Sequence, residues 1–193
     1  MSNKEKGSLI TESSVFKAIL SNKEVQETVA RAISCTSLEL EEFLSQRVCT
    51  TKKLSFYTDG GARGNPGISG CGVVVDDGSV KKGYFYYLGI QTNNFAEYTG
   101  LLKALSIAKE MNAEEVVVYS DSELMCKQIT GEYKVKSPQL GILYKEAMLY
   151  IYNLKSFKIK HVRREFNKDA DLLANMAMDE KRNGEVEFTT AIS

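Results

Sequence analysis

The chain has 193 residues, 43% of them hydrophobic and 26% charged, which is enough for a full core and excludes a wholly disordered segment. Lys and Arg (25) balance Asp and Glu (25), so net charge selects no partner and any electrostatic footprint is local. The longest apolar runs, such as Val116-Val117-Val118, fall far short of the roughly 18 residues of a membrane-spanning helix, and no apolar stretch follows Met1-Ser2-Asn3-Lys4-Glu5-Lys6, so neither membrane association nor a secretory signal is expected.

Residues 1–52 have no Gly after Gly7 and no Pro. Val15, Phe16, Ile19 and Leu20 have helical spacing, as do Val25, Val29 and Ile33, and then Leu40, Phe43, Leu44 and Val48. With Asn22 and Ser37 as N-caps, this predicts two or three short helices. Their apolar content is too small for an independent core, so this extension is expected to pack on something: the rest of the chain, a partner protein or a second copy. From Leu54 the texture changes. Leu54–Thr58 reads as a strand running into the glycine-rich segment 59–67, which reads as a loop. Cys71–Val75 and Tyr84–Leu88 complete an antiparallel meander. Phe95, Tyr98, Leu101, Leu102, Leu105 and Ala108 then mark a long amphipathic helix. Glu115–Tyr119 reads as a buried parallel strand and residues 122–129 as a helix. A further helix opens at Pro138, residues 156–162 form a last strand, and residues 168–181 a last helix. The expectation is an α/β protein with a five-stranded mixed sheet flanked by helices over residues 53–181, and a loose tail at 182–193. The cysteines at 35, 49, 71 and 126 have no CxxC spacing, and one His completes no zinc set. They read as reduced, mostly buried thiols of a cytoplasmic protein.

Four carboxylates share a location in this plan. Asp59 ends the first strand, Glu97 lies in the first turn of the long helix, Asp121 ends the apolar strand and Asp171 lies in the first turn of the last helix. Ligands of open α/β sheets collect where parallel strands end and helices begin. Each residue also has a local explanation: Asn94-x-x-Glu97 as a capping box, Asp121 as an N-cap, Asp171 as a helix-dipole partner, Asp59 as a turn residue. Converging carboxylates repel unless protonated or paired with cations, and hard divalent ions such as Mg²⁺ or Mn²⁺ suit such oxygen ligands.

Residues 57–67 (Tyr57-Thr58-Asp59-Gly60-Gly61 through Asn65-Pro66-Gly67), Asn93-Asn94-Phe95-Ala96-Glu97-Tyr98, Tyr119-Ser120-Asp121-Ser122, and the stretch from His161 to Asp171 followed by Leu172-Leu173-Ala174-Asn175 resemble, in order and spacing, the four motifs of type 1 ribonuclease H. The resemblance covers about residues 53–180 and nothing in 1–52. It implies the ribonuclease H-like fold and endonucleolytic cleavage of the RNA strand of an RNA–DNA hybrid, with two Mg²⁺ ions for which Mn²⁺ substitutes. The products would carry 5′-phosphate and 3′-hydroxyl ends. By the same resemblance Asp59 bridges both ions, Asp171 holds the ion that activates water, and Glu97 and Asp121 hold the ion beside the leaving 3′-oxygen. Gly60 and Gly61 (with Gly64) would admit a sugar-phosphate, and Asn65, Asn93, Asn94 and Ser122 would contact the substrate. Arg164 and His161 are candidate auxiliaries, although His161 shares the parity of Phe157 and Ile159 on what reads as a half-buried face. Glu123 departs from the neutral or basic residue that the family often carries there. The short link 130–138 matches the branch without a Lys-rich protrusion.

Lys155, Lys158, Lys160, Arg163 and Arg164 form a local basic stripe suited to phosphates, or to deterring edge-to-edge strand pairing. The alternatives to a hybrid-specific nuclease are a non-catalytic hybrid-binding module and a nuclease of the same fold acting on double-stranded RNA or DNA. An aspartic protease is disfavoured, because Asp59-Gly60 and Asp121-Ser122 lack the paired signature of that class.

Overall fold

A computed structural model describes residues 12–47 and 52–188. Val48, Cys49, the first eleven residues and the end of the expected tail, 189–193, lie outside them. The chain divides into two compact units, Met1–Thr50 and Thr51–Ser193.

In the first unit α1 (Glu12–Leu20), α2 (Lys23–Ala32) and α3 (Ser37–Arg47) follow one another through short turns. Asn22 caps α2, its side chain accepting the N–H groups of Glu24 and Val25. The cap of α3 is Thr36 and not Ser37. The Thr36 hydroxyl accepts the Glu39 N–H at 3.2 Å and the Glu39 carboxylate accepts the Thr36 N–H at 2.8 Å, a reciprocal capping box. Ala30, Leu40 and Leu44 form a small core, while Leu38 remains 77% exposed.

The second unit is one sheet in the order β5-β4-β1-β2-β3-β6, made of β1 (Lys53–Gly64), β2 (Gly67–Asp76), β3 (Lys81–Gln91), β4 (Glu115–Ser120), β5 (Ser156–His161) and β6 (Gly184–Phe188). Its helices are α4 (Asn93–Glu110), α5 (Glu123–Ile129), α6 (Pro138–Tyr152) and α7 (Lys168–Glu180). β1, β4 and β5 run parallel, whereas β1, β2, β3 and β6 are antiparallel. The expected five strands are therefore six. β6, in the segment read as a loose tail, pairs with β3 and alternates its side chains, with Val186 and Phe188 packing on Phe85 and α7. On one sheet face α4, α5 and α6 enclose the main core around Phe56, Val118, Leu101 and Tyr98. On the other, Val74 and Phe85 meet Ala170, Leu173 and Ala177 of α7.

Segment 59–67 is also not a loop. β1 continues through Gly64 and pairs with β2 down to Gly64↔Gly67, leaving Asn65-Pro66 as the whole connection. The glycines serve close packing of backbones. A Cβ on Gly60 would stand 2.2 Å from the Ala96 carbonyl carbon and the Glu97 nitrogen, and one on Gly72 2.2 Å from the Ala170 carbonyl oxygen. These absent side chains let α4 and α7 approach the sheet at the level of Asp59.

The three described cysteines are unpaired. Cys71 and Cys126 are buried, and burial pushes both thiols up to about 12, so they stay protonated and inert. Among the described residues, no helix is long and apolar enough to cross a membrane.

Candidate active site

The parallel pairing of β1 with β4 ends at Thr58↔Ser120. Asp59 and Asp121 are the next residues on each chain segment, so they lie side by side where β4 ends and β1 runs on paired with β2 alone. α4 begins against this point because Gly60 admits its first turn, which brings in Glu97. α7 begins on the other face and contributes Asp171. The four acids line one open cleft of about 310 Å³, together with Asn93, Arg164 and Asn175.

Two of the four are buried, Asp59 at 8% and Glu97 at 9% exposure. Burial, and then the charges of Asp121 and Asp171, push the Asp59 carboxyl up to about 7, although Arg164 opposes this. Burial, and then the charge of Asp59, push Glu97 up to about 8, opposed by hydrogen bonds from Ser122 and Asn93. The Asn93 amide donates to Glu97 Oε1 at 3.2 Å, whereas Glu97 Oε2 is buried with no partner. An orphaned carboxylate oxygen beside a second buried carboxylate is a donor set that a hard cation would satisfy. Among the described residues no three such side chains are closed into a ready-made metal cluster. Asp171 is instead held by Arg164, whose Nε donates to Oδ1 at 3.1 Å and whose Nη2 reaches the same oxygen, and by Asn175, whose Nδ2 donates to Oδ2 at 3.3 Å. The oxygen donors fit a divalent ion, and Asp171 would complete the set on release from Arg164.

The other expected residues sort differently. The N-cap of α4 is Thr92, which accepts the Phe95 N–H, so Asn93 and Asn94 are its first helical residues and Asn94 is no cap. Asn94 and Asn65 are exposed, and the Asn65 side chain accepts the Asn93 N–H at 3.2 Å, tying the β1–β2 hairpin to α4. Asp121 is not the cap of α5. That position is Ser122, whose side chain caps nothing and lies near enough to Glu97 to hold its carboxyl down. Gly60 faces α4 backbone and Gly61 faces Met178, so the room at both is taken by the protein itself. His161 ends β5 in register with Ser120 and shares the face of the half-buried Phe157 and Ile159, but is itself exposed at the strand end. It lies near Glu123 on α5, whose carboxyl is held below its ordinary value first by Lys127, its partner at 2.7 Å, and only weakly by His161.

One residue escaped sequence reasoning. Asn167 is 1% exposed, and its Nδ2 donates at 3.0 Å both to the Thr58 carbonyl and to Asp121 Oδ1. It occupies the N-cap position of α7 yet makes no capping bond. Its type and place are those of an ordinary helix cap, which carries no signal of function, but its side chain joins β1, the end of β4 and the helix that carries Asp171.

A profile of the family described as "Reverse transcriptase-like" matches residues 57–177. The chain is 41% identical over 130 residues to a bifunctional protein of Mycobacterium tuberculosis, a match covering 66% of this chain and 36% of that protein. It is 34% identical over 146 residues to the ribonuclease H of Chlorobium phaeobacteroides, covering 68% and 99%. Among solved structures, LC11-RNase H1 in complex with an RNA/DNA hybrid matches with a TM-score of 0.60 at 38% identity, over 66% of this chain and 98% of that one. The chain thus spans about a third of the mycobacterial relative's length and nearly all of the Chlorobium protein's.

Proposed function

The chain belongs to the reverse transcriptase-like, ribonuclease H-like family, and from that premise we propose that it is a ribonuclease H that hydrolyses the RNA strand of RNA–DNA hybrids. The observation that carries this reading is the convergence of Asp59, Glu97, Asp121 and Asp171 in one cleft, with Asp59 and Glu97 buried and Glu97 Oε2 unpartnered.

Asp59 would bridge two divalent ions, with Glu97 and Asp121 completing the ligands of one and Asp171 those of the other. Two bound Mg²⁺ ions, or Mn²⁺ in their place, would activate the attacking water and stabilise the leaving 3′-oxygen, giving 5′-phosphate and 3′-hydroxyl ends. The protein's own part is positioning. Asn93 orients Glu97, and Asn167 orients Asp121. Arg164 shields Asp171 from its acidic neighbours and is placed to meet a phosphate oxygen once it lets go. The exposed Asn65 and Asn94, with Asn93 at the cleft wall, would contact the substrate, where 2′-hydroxyls distinguish RNA from DNA.

The test is cleavage of end-labelled RNA–DNA hybrid, double-stranded RNA and double-stranded DNA, with Mg²⁺, with Mn²⁺ and with EDTA. Metal-dependent cutting confined to the RNA strand of the hybrid is expected. Binding of hybrid without cleavage would identify a non-catalytic module, and cleavage of the other duplexes would identify a nuclease of broader range.

A further inference from the structure

α7 packs on β1, β2 and β3, and none of the helices of this unit packs on the same face of β4 and β5. The uncovered half of this face lies directly below the catalytic cleft. Side chains alternate along a strand, so Tyr57 shares the face of Asp59 two residues on, and Tyr119 stands two residues before Asp121. Tyr57, Tyr119 and Lys160 are register partners across β1, β4 and β5. The tyrosine rings stack with centroids 4.8 Å apart, and Lys160 Nζ lies 5.6 Å from the Tyr119 ring centre. One rung further down, Lys158 is the register partner of Val117, and both lysines are exposed.

The basic stripe of the sequence divides on this surface. Lys155 pairs with Glu114, Arg163 with Glu165 and Arg164 with Asp171. Lys158 and Lys160, with no ion pair within 4.0 Å in the described structure, are left facing the same way along the rim of the uncovered sheet. In a chain of zero net charge this strip is a local feature, not a consequence of composition.

We propose that this face is a track for the sugar-phosphate backbone of the hybrid where it continues past the scissile phosphate, with Lys158 and Lys160 supplying its cationic flank. The proposal rests on the reading of the chain as a hybrid nuclease. Charge complementarity favours a polyanion over a protein partner. The tyrosine rings already stack on each other, with Lys160 over Tyr119 and Lys81 Nζ 5.9 Å from the Tyr57 ring centre, which suits contact with backbone and sugar more than intercalating bases. Strand geometry sets the reach: the rungs of Lys160 and Lys158 lie about 7 and 13 Å from the carboxylates, the axial length of roughly two and four nucleotides.

The experiment uses the full chain and a labelled RNA–DNA hybrid, with binding read by fluorescence anisotropy in EDTA across a salt series. The double variant K158Q/K160Q is compared with wild type and with K109Q/K145Q, which removes equal charge from exposed lysines on α4 and α6. If the two lysines each contact a phosphate, K158Q/K160Q weakens binding five- to tenfold at low salt and lowers the slope of log affinity against log salt by about 1.8. The α4/α6 control should match wild type. Equal slopes in all three proteins overturn the track, as does a loss of self-association by K158Q/K160Q at unchanged hybrid affinity, which would make the face an interface between copies. Wild-type cleavage is scored separately, so a protein that binds hybrid without cutting it refutes the proposed activity while the salt slope still decides the track.

Discussion

Replacing Glu97 by glutamine is expected to stabilise the metal-free protein, and to do so only at neutral to alkaline pH. The native side chain is 9% exposed, Oε2 has no partner, and burial with the Asp59 charge raises the carboxyl from 4.5 to about 8. A carboxyl that holds its proton more tightly in the folded than in the unfolded state favours folding at low pH. That contribution is complete below the unfolded value of 4.5 and is lost as pH rises through about 8. At about 1.4 kcal/mol per pH unit, the full displacement corresponds to an upper bound of roughly 4–5 kcal/mol at pH 9, of which relaxation and shared protonation with Asp59 would leave about 2–3. Glutamine keeps an acceptor for the Asn93 amide and carries no charge to lose. For a chain of this size the melting temperature should rise by roughly 5–10 °C at pH 9 and change little at pH 5. Thermal unfolding by circular dichroism in EDTA at the two pH values measures this directly. Added Mg²⁺ should then raise the wild-type melting temperature more than that of the variant. A variant less stable than wild type at pH 9, or an equal difference at both pH values, would refute the account of Glu97 as an unsatisfied buried charge.

Asp59→Asn should abolish Mg²⁺-dependent cleavage of the hybrid while leaving hybrid binding in an anisotropy titration, because the amide removes charge shared by both ions; near-normal turnover would exclude the bridging role. Gly60→Ala should destabilise the fold by about 3 kcal/mol or more in denaturant unfolding, since the new methyl group falls on the backbone of Ala96 and Glu97. Asn167→Ala should cost about 1–3 kcal/mol of stability and lower kcat at least tenfold with little change in KM, because Asp121 and the Thr58 carbonyl each lose a buried donor. Deleting the N-terminal helices, with residues 51–193 kept so that the Lys52 carbonyl still accepts from Glu114 and Glu115, should leave the single-turnover rate within threefold. A hundredfold fall in a folded truncation, about 2.7 kcal/mol of barrier, would bring the helical unit into the active site.

What the sequence alone determined was the order of the elements and the identity of the acids. Hydrophobic period separates the apolar β4 from the amphipathic α4, and the rule that ligands gather beyond parallel strands is enough to group Asp59, Glu97, Asp121 and Asp171. Local signals failed where a residue's partner lies far along the chain. The glycines of 59–67 read as a loop because glycine loosens a chain locally. They stand in strand because the backbone of Ala96 and Glu97 occupies the place of a side chain on Gly60, Met178 lies against Gly61, and Gly64 and Gly67 close the hairpin on the backbone of Pro66 and Arg63. β6 read as tail because Gly184-Glu185-Val186-Glu187-Phe188 is short and charged, and only the edge of β3 and the side of α7 give its alternating side chains something to pair with and cover. Asn94, Ser37 and Asp121 were plausible caps displaced by their neighbours Thr92, Thr36 and Ser122, since cap preference scarcely separates Ser, Thr, Asn and Asp. Asn167 is the sharpest case. Its type suits a helix start, but the bonds it makes span 109 and 46 residues of sequence, and only the folded sheet brings those acceptors within 3.0 Å. Periodicity and composition are properties of neighbours in sequence, whereas a buried hydrogen bond is decided by which backbones the fold allows to touch.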